Sequence, residues 1–314
     1  MTKIAFVFPG QGSQAVGMGK ELYDQVEEAR HIFITADERL NEDLSKVIFE
    51  GPQETLTLTY NAQPALLTTS IAILNEFAKH GIKADYVAGH SLGEYTALVA
   101  ARVLSFEDAV FAVKKRGELM DEAVPAGQGA MAAILGMDAA ELENVTSDIT
   151  KLGFSVQIAN LNCPGQIVIS GTAEGVERAS NLAKEKGAKR VIPLVVSGPF
   201  HSELMKPAAS KLKEVLSNIT FQDAEIPLIA NVNAEPVQSQ QLIKSLLVEQ
   251  LYSPVRWEQS VRKMLDNGVT TFIEIGPGKV LSGLIKKINR KANVHAVSDL
   301  DSIQETVVKL KGDV

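Results

Sequence analysis

The pentapeptide Gly-His-Ser-Leu-Gly at residues 89–93 constrains the fold of this chain more than any other stretch. It follows the apolar run Tyr86-Val87-Ala88 and precedes a helical-looking segment over residues 94–101. Strand, sharp turn and helix is the setting of a nucleophile elbow, in which a strained turn presents a serine at the carboxyl end of a strand. The pattern predicts that Ser91 is a nucleophile, and an ordinary tight βα turn is the alternative.

The order of predicted elements indicates the α/β class. A buried strand is predicted over residues 4–8, followed by a helix over 15–30, and later strands are predicted near 226–230 and 271–275. Between residues 130 and 196 the order reads β-α-β-β-α-β, which is typical of a ferredoxin-like unit. We therefore expect an α/β-hydrolase-like large domain with a mainly parallel sheet and a small inserted ferredoxin-like subdomain.

The length of 314 residues agrees with two such units, since it exceeds the usual size of a single core. The composition shift at Pro125-Ala126-Gly127 places the boundaries. The large domain is predicted to comprise residues 1–125 and 198–314, and the inserted subdomain residues 126–197.

Composition and charge exclude several classes of protein. The net charge of −7 argues against a nucleic-acid binder. The long uncharged runs at residues 55–75 and 154–173 contain proline and amide side chains, so we expect no membrane span. The only cysteine, Cys163, cannot form an internal disulfide, which fits a cytoplasmic protein. No metal site is expected.

A second glycine motif competes with the elbow. Residues 10–15, Gly-Gln-Gly-Ser-Gln-Ala, match the loose dinucleotide-binding pattern G-x-G-x-x-A. That pattern requires an acidic residue about 20 positions later, at the end of a second strand. Glu27 and Glu28 are near this spacing but lie in a helical pattern, so a dinucleotide-binding module is kept as an alternative from another class.

A serine hydroxyl needs a general base within hydrogen-bond reach. Among the five histidines, His201 lies in a Gly-Pro loop between the two predicted units and downstream of Ser91, and it is the candidate base. No carboxylate is obvious as a third member, so a backbone carbonyl can orient the imidazole instead. The backbone N–H groups of Leu92 and Gln11 are the candidate oxyanion hole.

Arg116 occupies an apolar stripe on the helix predicted after the elbow. It shares one face with Ala109, Val113 and Met120 at helical spacing. A guanidinium in such a stripe needs an anionic partner, which is either a protein carboxylate or a ligand carboxylate. Snorkelling of the long side chain is a further alternative, and periodicity does not decide among the three.

Six short motifs occur in a fixed order along the chain: residues 8–14 (FPGQGSQ), 61–65 (NAQPA), 89–94 (GHSLGE), 116–117 (RG), 200–202 (FHS) and 274–279 (EIGPGK). Together they resemble those of the malonyl-CoA:acyl carrier protein transacylases of bacterial fatty-acid synthesis. The resemblance runs over nearly the whole chain, and the acyltransferase domains of polyketide synthases share it.

The resemblance implies a ping-pong transfer of malonyl from coenzyme A to the phosphopantetheine thiol of acyl carrier protein. It implies that Ser91 is the nucleophile, His201 the base and Arg116 the residue that binds the malonyl carboxylate. The N–H groups of Gln11 and Leu92 match the oxyanion hole.

Three further residues are assigned only through this resemblance. Gln63 matches a polar residue lining the site, and Phe200 matches a bulky position that disfavours methylmalonyl donors. Ser253 stands where the family has an asparagine whose main-chain carbonyl orients the histidine, and we expect its carbonyl to do the same.

Malonyl-CoA and acyl carrier protein are the expected partners, with no permanently bound cofactor. Carrier proteins are acidic, so local basic clusters can dock them. The candidate docking residues are Lys189, Arg190, Lys286, Lys287, Arg290 and Lys291. A serine esterase or thioesterase is the alternative enzyme, because it shares the elbow and the histidine but requires neither Arg116 nor a carrier surface.

Overall fold

Two β-sheets organise the computed structural model, which describes residues 3–125 and 127–312. No helix in this part of the chain is long and apolar enough to cross a membrane. The strands are β1 (Lys3–Phe8), β2 (Tyr86–Gly89), β3 (Gly129–Leu135), β4 (Val156–Cys163), β5 (Gln166–Thr172), β6 (Arg190–Pro193), β7 (Leu228–Ile229), β8 (Pro236–Val237), β9 (Val269–Ile275) and β10 (Asn293–Val297).

Helices fill most of the remaining chain, and a 3-10 turn over Glu203–Met205 precedes the tenth of them. They are α1 (Lys20–Gln25), α2 (Glu27–Leu40), α3 (Leu44–Glu50), α4 (Gln53–Thr57), α5 (Thr59–Ala78), α6 (Gly93–Ala100), α7 (Phe106–Glu122), α8 (Ala139–Lys151), α9 (Ala173–Glu185), α10 (Lys206–Ser217), α11 (Gln240–Gln250), α12 (Trp257–Asp266), α13 (Val280–Ile288) and α14 (Leu300–Gly312).

The larger sheet has the strand order β10-β9-β1-β2-β7-β8, and only β8 pairs antiparallel within the described residues. β1 is apolar on both sides, as expected of a parallel strand covered on both faces. Phe6 and Phe8 pack into one apolar cluster, and Ala5 and Val7 pack into another on the opposite face. Phe8 pairs with Gly89, so the loops after β1 and β2 leave the same edge of the sheet side by side.

The smaller sheet is antiparallel, with the order β4-β5-β3-β6, and α8 and α9 pack against it. Its own apolar cluster includes Ile134, Leu142, Val145 and Ile169. The predicted α/β class, with a mainly parallel sheet and a ferredoxin-like unit, is confirmed. The domain boundaries stay a prediction, and Ala126, like residues 1–2 and 313–314, lies outside the described residues.

β4 joins the smaller sheet to the larger unit. Backbone hydrogen bonds run from Leu161 N to Val255 O (2.9 Å) and from Val255 N to Ala159 O (2.8 Å). The register of β4 against β5 shifts between Ile158 and Asn160, next to this contact. β4 therefore attaches the smaller sheet to the segment between α11 and α12 of the larger unit.

The helix predicted over residues 15–30 differs from the structure. Residues 16–19 form turns, in which Gly17 and Gly19 have φ values of 89° and 72°. Val26 has the extended backbone angles φ −120° and ψ 113°, and it separates α1 from α2. Apolar periodicity continues across this break, which is why the pattern predicts one helix where the structure has two.

Candidate active site

The nucleophile elbow has the predicted geometry. Ser91 has φ 51°, a left-handed conformation that non-glycine residues seldom adopt, and it lies between the end of β2 and the start of α6. A Cβ atom on Gly89 would lie 1.9 Å from the backbone carbon of Gly93, and one on Gly93 would lie 2.1 Å from Phe8 O. The close approach of strand, turn and helix therefore requires glycine at both positions.

His201 lies beside the serine. Its Nε2 atom is 2.8 Å from Ser91 Oγ, and its Nδ1 atom is 2.8 Å from the carbonyl oxygen of Gln250. A carbonyl only accepts hydrogen bonds, so Nδ1 carries the proton and Nε2 is free to accept from the serine hydroxyl. Burial, reinforced by the charge of Arg116, lowers the pKa of His201 to about 3. The imidazole is therefore neutral and can act as a base near neutral pH.

The carbonyl that orients His201 differs from the one expected. The expected Ser253 carbonyl does not accept the Nδ1 hydrogen bond, which goes to Gln250 at the last residue of α11. The last carbonyls of a helix have no partner within the helix, so that of Gln250 is available to the imidazole. Burial lowers the pKa of His201. Both carbonyls counteract this lowering, and that of Gln250 does so more than that of Ser253.

Arg116 on α7 is buried next to the nucleophile. Its Nη1 atom donates to Gln63 Oε1 (2.7 Å), and its Nη2 atom donates to Gln250 Oε1 (2.9 Å) and Ser91 Oγ (3.1 Å). Within residues 3–125 and 127–312 it forms no ion pair with a carboxylate, and its Nε atom has no hydrogen-bond partner. Arg116 is 1% exposed, so its interpretation as a snorkelling side chain is wrong. It forms no direct ion pair, and the buried carboxyl of Glu94 acts on its charge across Gln250.

The proposed oxyanion donors lie at equivalent positions in the turns that follow two neighbouring strands. Gln11 and Leu92 each follow a paired strand residue by three positions, since Phe8 pairs with Gly89. Both residues line the same cavity. Leu92 is the N-cap residue of α6, where backbone N–H groups lack helical acceptors. A carbonyl oxygen placed above Ser91 can thus receive two N–H donors.

A cavity of about 320 Å³ opens over Ser91 between the two sheets. It is lined by the predicted residues Gln11, Ser91, Leu92, Arg116, Phe200 and His201. Gln63 accepts a hydrogen bond from Arg116 and is not one of the residues that line the cavity. Met131 and Asn160 of the smaller sheet also line the cavity. The smaller sheet therefore forms one wall of the site.

Sequence reasoning missed Gln250 and Asn231, which are both fully buried behind the elbow. Asn231 follows the apolar run predicted as a strand near 226–230, and a polar residue just beyond a strand end is a signal that could have identified it. Gln250 carries no comparable signal, because it is one of several amide residues in an amphipathic helix.

The structure also bears on His90, the neighbour of the nucleophile, and on the dinucleotide-binding alternative. His90 is not a base for Ser91, because its Nε2 atom lies 2.8 Å from Asn162 Oδ1 and its ring packs against Trp257. The dinucleotide alternative lacks its acidic residue at a strand end, since Glu27 and Glu28 occupy the first turn of α2. No group of three potential metal ligands occurs in the described part of the chain.

Comparison with known proteins identifies the family. The acyl transferase domain family matches residues 5–306. A malonyl CoA-acyl carrier protein transacylase of Bacillus subtilis is 66% identical over 311 residues, covering 99% of this chain and 98% of that protein. The structure of the corresponding transacylase of Coxiella burnetii is 42% identical, with a TM-score of 0.96 over 98% of both chains.

A solved complex is also similar. It contains a type II polyketide synthase acyl-carrier protein with its malonyl-transacylase, and the matched chain is 43% identical with a TM-score of 0.95 over 98% of this chain and 100% of that chain. The elbow, the serine–histidine contact and the buried arginine thus occur in a chain that is similar to transacylases over almost its whole length. The chain belongs to the acyl transferase domain family.

Proposed function

We propose that this chain transfers the malonyl group of malonyl-CoA to the phosphopantetheine thiol of acyl carrier protein, supplying malonyl-carrier protein for fatty-acid synthesis. The observation that carries the proposal is Arg116: a buried guanidinium that forms no direct ion pair in the described chain, 3.1 Å from Ser91 Oγ. A negatively charged acyl group satisfies this cation, whereas a neutral acyl group leaves it unpaired.

The first half-reaction forms the malonyl ester of Ser91. The Oγ atom attacks the thioester carbonyl while its proton passes to His201 Nε2. The N–H groups of Gln11 and Leu92 stabilise the negative oxygen of the tetrahedral intermediate. When the C–S bond breaks, the coenzyme A thiolate leaves and takes the proton from the imidazolium. Gln63 and Gln250 hold Arg116 in position, and Arg116 in turn holds the malonyl carboxylate.

The second half-reaction is the reverse with a different thiol. The phosphopantetheine thiol gives its proton to His201 and attacks the ester carbonyl, and Ser91 leaves with that proton. Serine and histidine supply the nucleophile and the base, so we propose that no cofactor is permanently bound. We also propose a cytoplasmic location, where the lone Cys163 stays reduced.

Intact mass spectrometry tests this function. The protein is incubated with malonyl-CoA and then with the holo carrier protein, with the Ser91→Ala variant as the control. We expect a malonyl adduct that persists in buffer, is discharged by the carrier and is absent from the variant. An adduct lost rapidly to water would indicate a thioesterase, and the absence of any adduct would rule out the covalent mechanism.

A surface for the carrier protein is supported by the arrangement of the two basic clusters. The β4–β5 hairpin lies between them: Lys287 Nζ donates to Gln166 Oε1 (3.0 Å), and Lys189 packs on Gly136, whose N–H donates to Gly165 O (2.8 Å). All six candidate docking residues are exposed. None of them forms an ion pair with a described carboxylate. We propose that these unpaired cations dock the acidic carrier.

A further inference from the structure

Asn231 contacts both ends of the turn that presents the nucleophile. Its Nδ2 atom donates to Gly89 O (2.7 Å), and its Oδ1 atom accepts from Ser91 N (2.7 Å). Asn231 lies just beyond β7, which pairs in parallel with β2. The chain leaves the sheet at the elbow, so these two backbone groups lose their ladder partners there. The side-chain amide of Asn231 supplies one acceptor and one donor in their place.

The same residue is tied to the rest of the site through Glu94. One carboxylate oxygen, Glu94 Oε2, accepts from Asn231 N (3.1 Å) and from Gln250 Nε2 (2.8 Å). Gln250 Nε2 also donates to Ser91 O (3.1 Å). The side chain and carbonyl of Gln250 contact Arg116 and His201, respectively. A single buried carboxylate therefore accepts from the backbone N–H of Asn231 and from the side-chain amide of Gln250, the two residues that position the serine, the base and the arginine.

We propose that Asn231 is a positioning residue for the acyl transfer: its amide maintains the strained conformation of Ser91, and Glu94 sets its placement relative to Gln250. Because the Ser91 N–H donates to Asn231, the oxyanion hole is left to Gln11 and Leu92. The φ of 51° at Ser91 is unfavourable for a residue with a side chain, so it persists only while its surroundings enforce it. Without the amide, the turn relaxes and Oγ moves away from His201 Nε2.

The Asn231→Asp variant tests this proposal because it is isosteric. A protonated carboxyl at this position accepts from Ser91 N–H and donates to Gly89 O, as the amide does. An ionised carboxylate has no donor and repels Gly89 O. Other charged groups lie nearby: Glu94 on α6 contacts Asn231, and Gln250 connects Glu94 to Arg116 and His201. These groups are the same in both proteins, so the variant rate is divided by the wild-type rate at each pH.

Single-turnover acylation by malonyl-CoA is measured between about pH 5.5 and 9.5. We expect the ratio of variant to wild-type rates to fall as the pH rises, to a loss of about 100-fold, the effect that a misplacement of about 1 Å causes. The KM for malonyl-CoA should change less than about threefold, since Arg116 and the cavity remain in place. The Asn233→Asp control changes an exposed residue of the same loop, whose side chain accepts a hydrogen bond from Glu235 N, and should match the wild type.

A purely structural role predicts a different result: lower thermal stability with a rate ratio that is independent of pH, and that result would overturn the proposal.

If the Asn231→Asp variant is too unstable at high pH, the Glu94→Gln and Glu94→Ala variants replace it. Glutamine retains an acceptor for both amides and should keep most of the acylation rate, whereas alanine should lose it; equal rates in the two variants would overturn the proposal. The inference rests on the proposed acyl transfer, and a wild-type protein that forms no adduct would contradict that function instead.

Discussion

Arg116 Nη2 lies 3.1 Å from Ser91 Oγ, so the group proposed to select the substrate contacts the atom proposed to attack it. The serine oxygen accepts from the arginine and contacts His201 Nε2 at 2.8 Å. A malonyl carboxylate that binds the guanidinium therefore places its thioester carbonyl within reach of Oγ. Substrate choice and nucleophile placement are coupled through one side chain.

The Arg116→Ala variant should lose selectivity for charged acyl groups. Hydrogen bonds to charged groups contribute about 1.5 to 3 kcal/mol each, so we expect kcat/KM for malonyl-CoA to fall by about 100-fold or more. The value for acetyl-CoA should change by less than about tenfold. Initial rates with both donors give the ratio. The Lys115→Ala variant is the control, since Lys115 is on the same helix but pairs with Glu118 at the surface. Equal losses for both donors would mean that Arg116 has only a structural role.

Shortening Phe200 should broaden the range of donors. Its side chain is 6% exposed and lines the cavity beside His201, and we predict that its ring crowds an α-methyl branch. In the Phe200→Ala variant we expect the methylmalonyl-to-malonyl rate ratio to rise about tenfold, within the range that one methyl group is worth in a pocket. Competition between the two donors, followed by mass spectrometry of the acyl-enzyme, measures this ratio. Comparable transfer of both donors by the wild type would contradict the prediction. Stability is measured in parallel, because removing a buried ring costs about 3 to 5 kcal/mol.

The pH dependence of acylation should lack a histidine limb near neutrality. Burial and the charge of Arg116 lower the pKa of His201 from 6.5 to about 3, so the base is neutral at all pH values well above 3. Acylation in the Glu94→Gln variant should therefore be constant between about pH 8 and 5. The Glu94→Gln variant is used because Glu94 itself titrates in this pH range. Burial raises the pKa of Glu94 to about 7, and its hydrogen bonds to Gln250 and Asn231 partly counteract that rise. A rate that falls with a midpoint near pH 6.5 would contradict the prediction, because it would show that His201 is hydrated and keeps its ordinary pKa.

The same lowered pKa affects folding. Since the folded value lies below the unfolded one, the unfolded chain takes up the proton first as the pH falls, and His201 reduces stability progressively from about pH 6.5 down to about 3. The His201→Gln variant should thus lose less stability than the wild type on acidification. Urea unfolding at pH 7 and pH 5 compares the two proteins, and equal losses would contradict this assignment.

Charge reversal on the proposed docking surface should affect one substrate only. The double variant Lys189→Glu, Lys287→Glu changes one residue from each basic cluster, and we expect the KM for carrier protein to rise about tenfold, with that for malonyl-CoA within about twofold. The rise should shrink at high salt, because exposed charges are screened. Lys309→Glu on α14 is the control, as Lys309 pairs with Glu305 outside both clusters. Equal effects on both substrates would remove this surface from consideration.

Local sequence was sufficient for much of the fold. The elbow at residues 89–93 and the β-α-β-β-α-β order between residues 129 and 193 agree with the structure because their apolar periodicity and turn residues are consecutive in the chain. Where a local pattern crosses a break it predicts wrongly, as at Val26, since periodicity does not report a single residue with extended backbone angles. Arg116 shows a second limit, because helical periodicity places it on the buried face of α7 without identifying its partner.

The sequence by itself determined that Ser91 sits on a strained turn between strand and helix, because glycines two residues to either side and the flanking patterns are local properties. Only the tertiary structure decided what holds that turn and its base. Asn231 reaches Ser91 across 140 positions and Gln250 across 159, and the carbonyl of Gln250, not that of Ser253, accepts from His201. Contacts over such separations arise from the packing of whole elements, here β7 beside β2 and the end of α11 behind the elbow. The strand-end position of Asn231 marks it as a candidate without naming its partner, and Gln250 in an amphipathic helix carries no local signal of that packing.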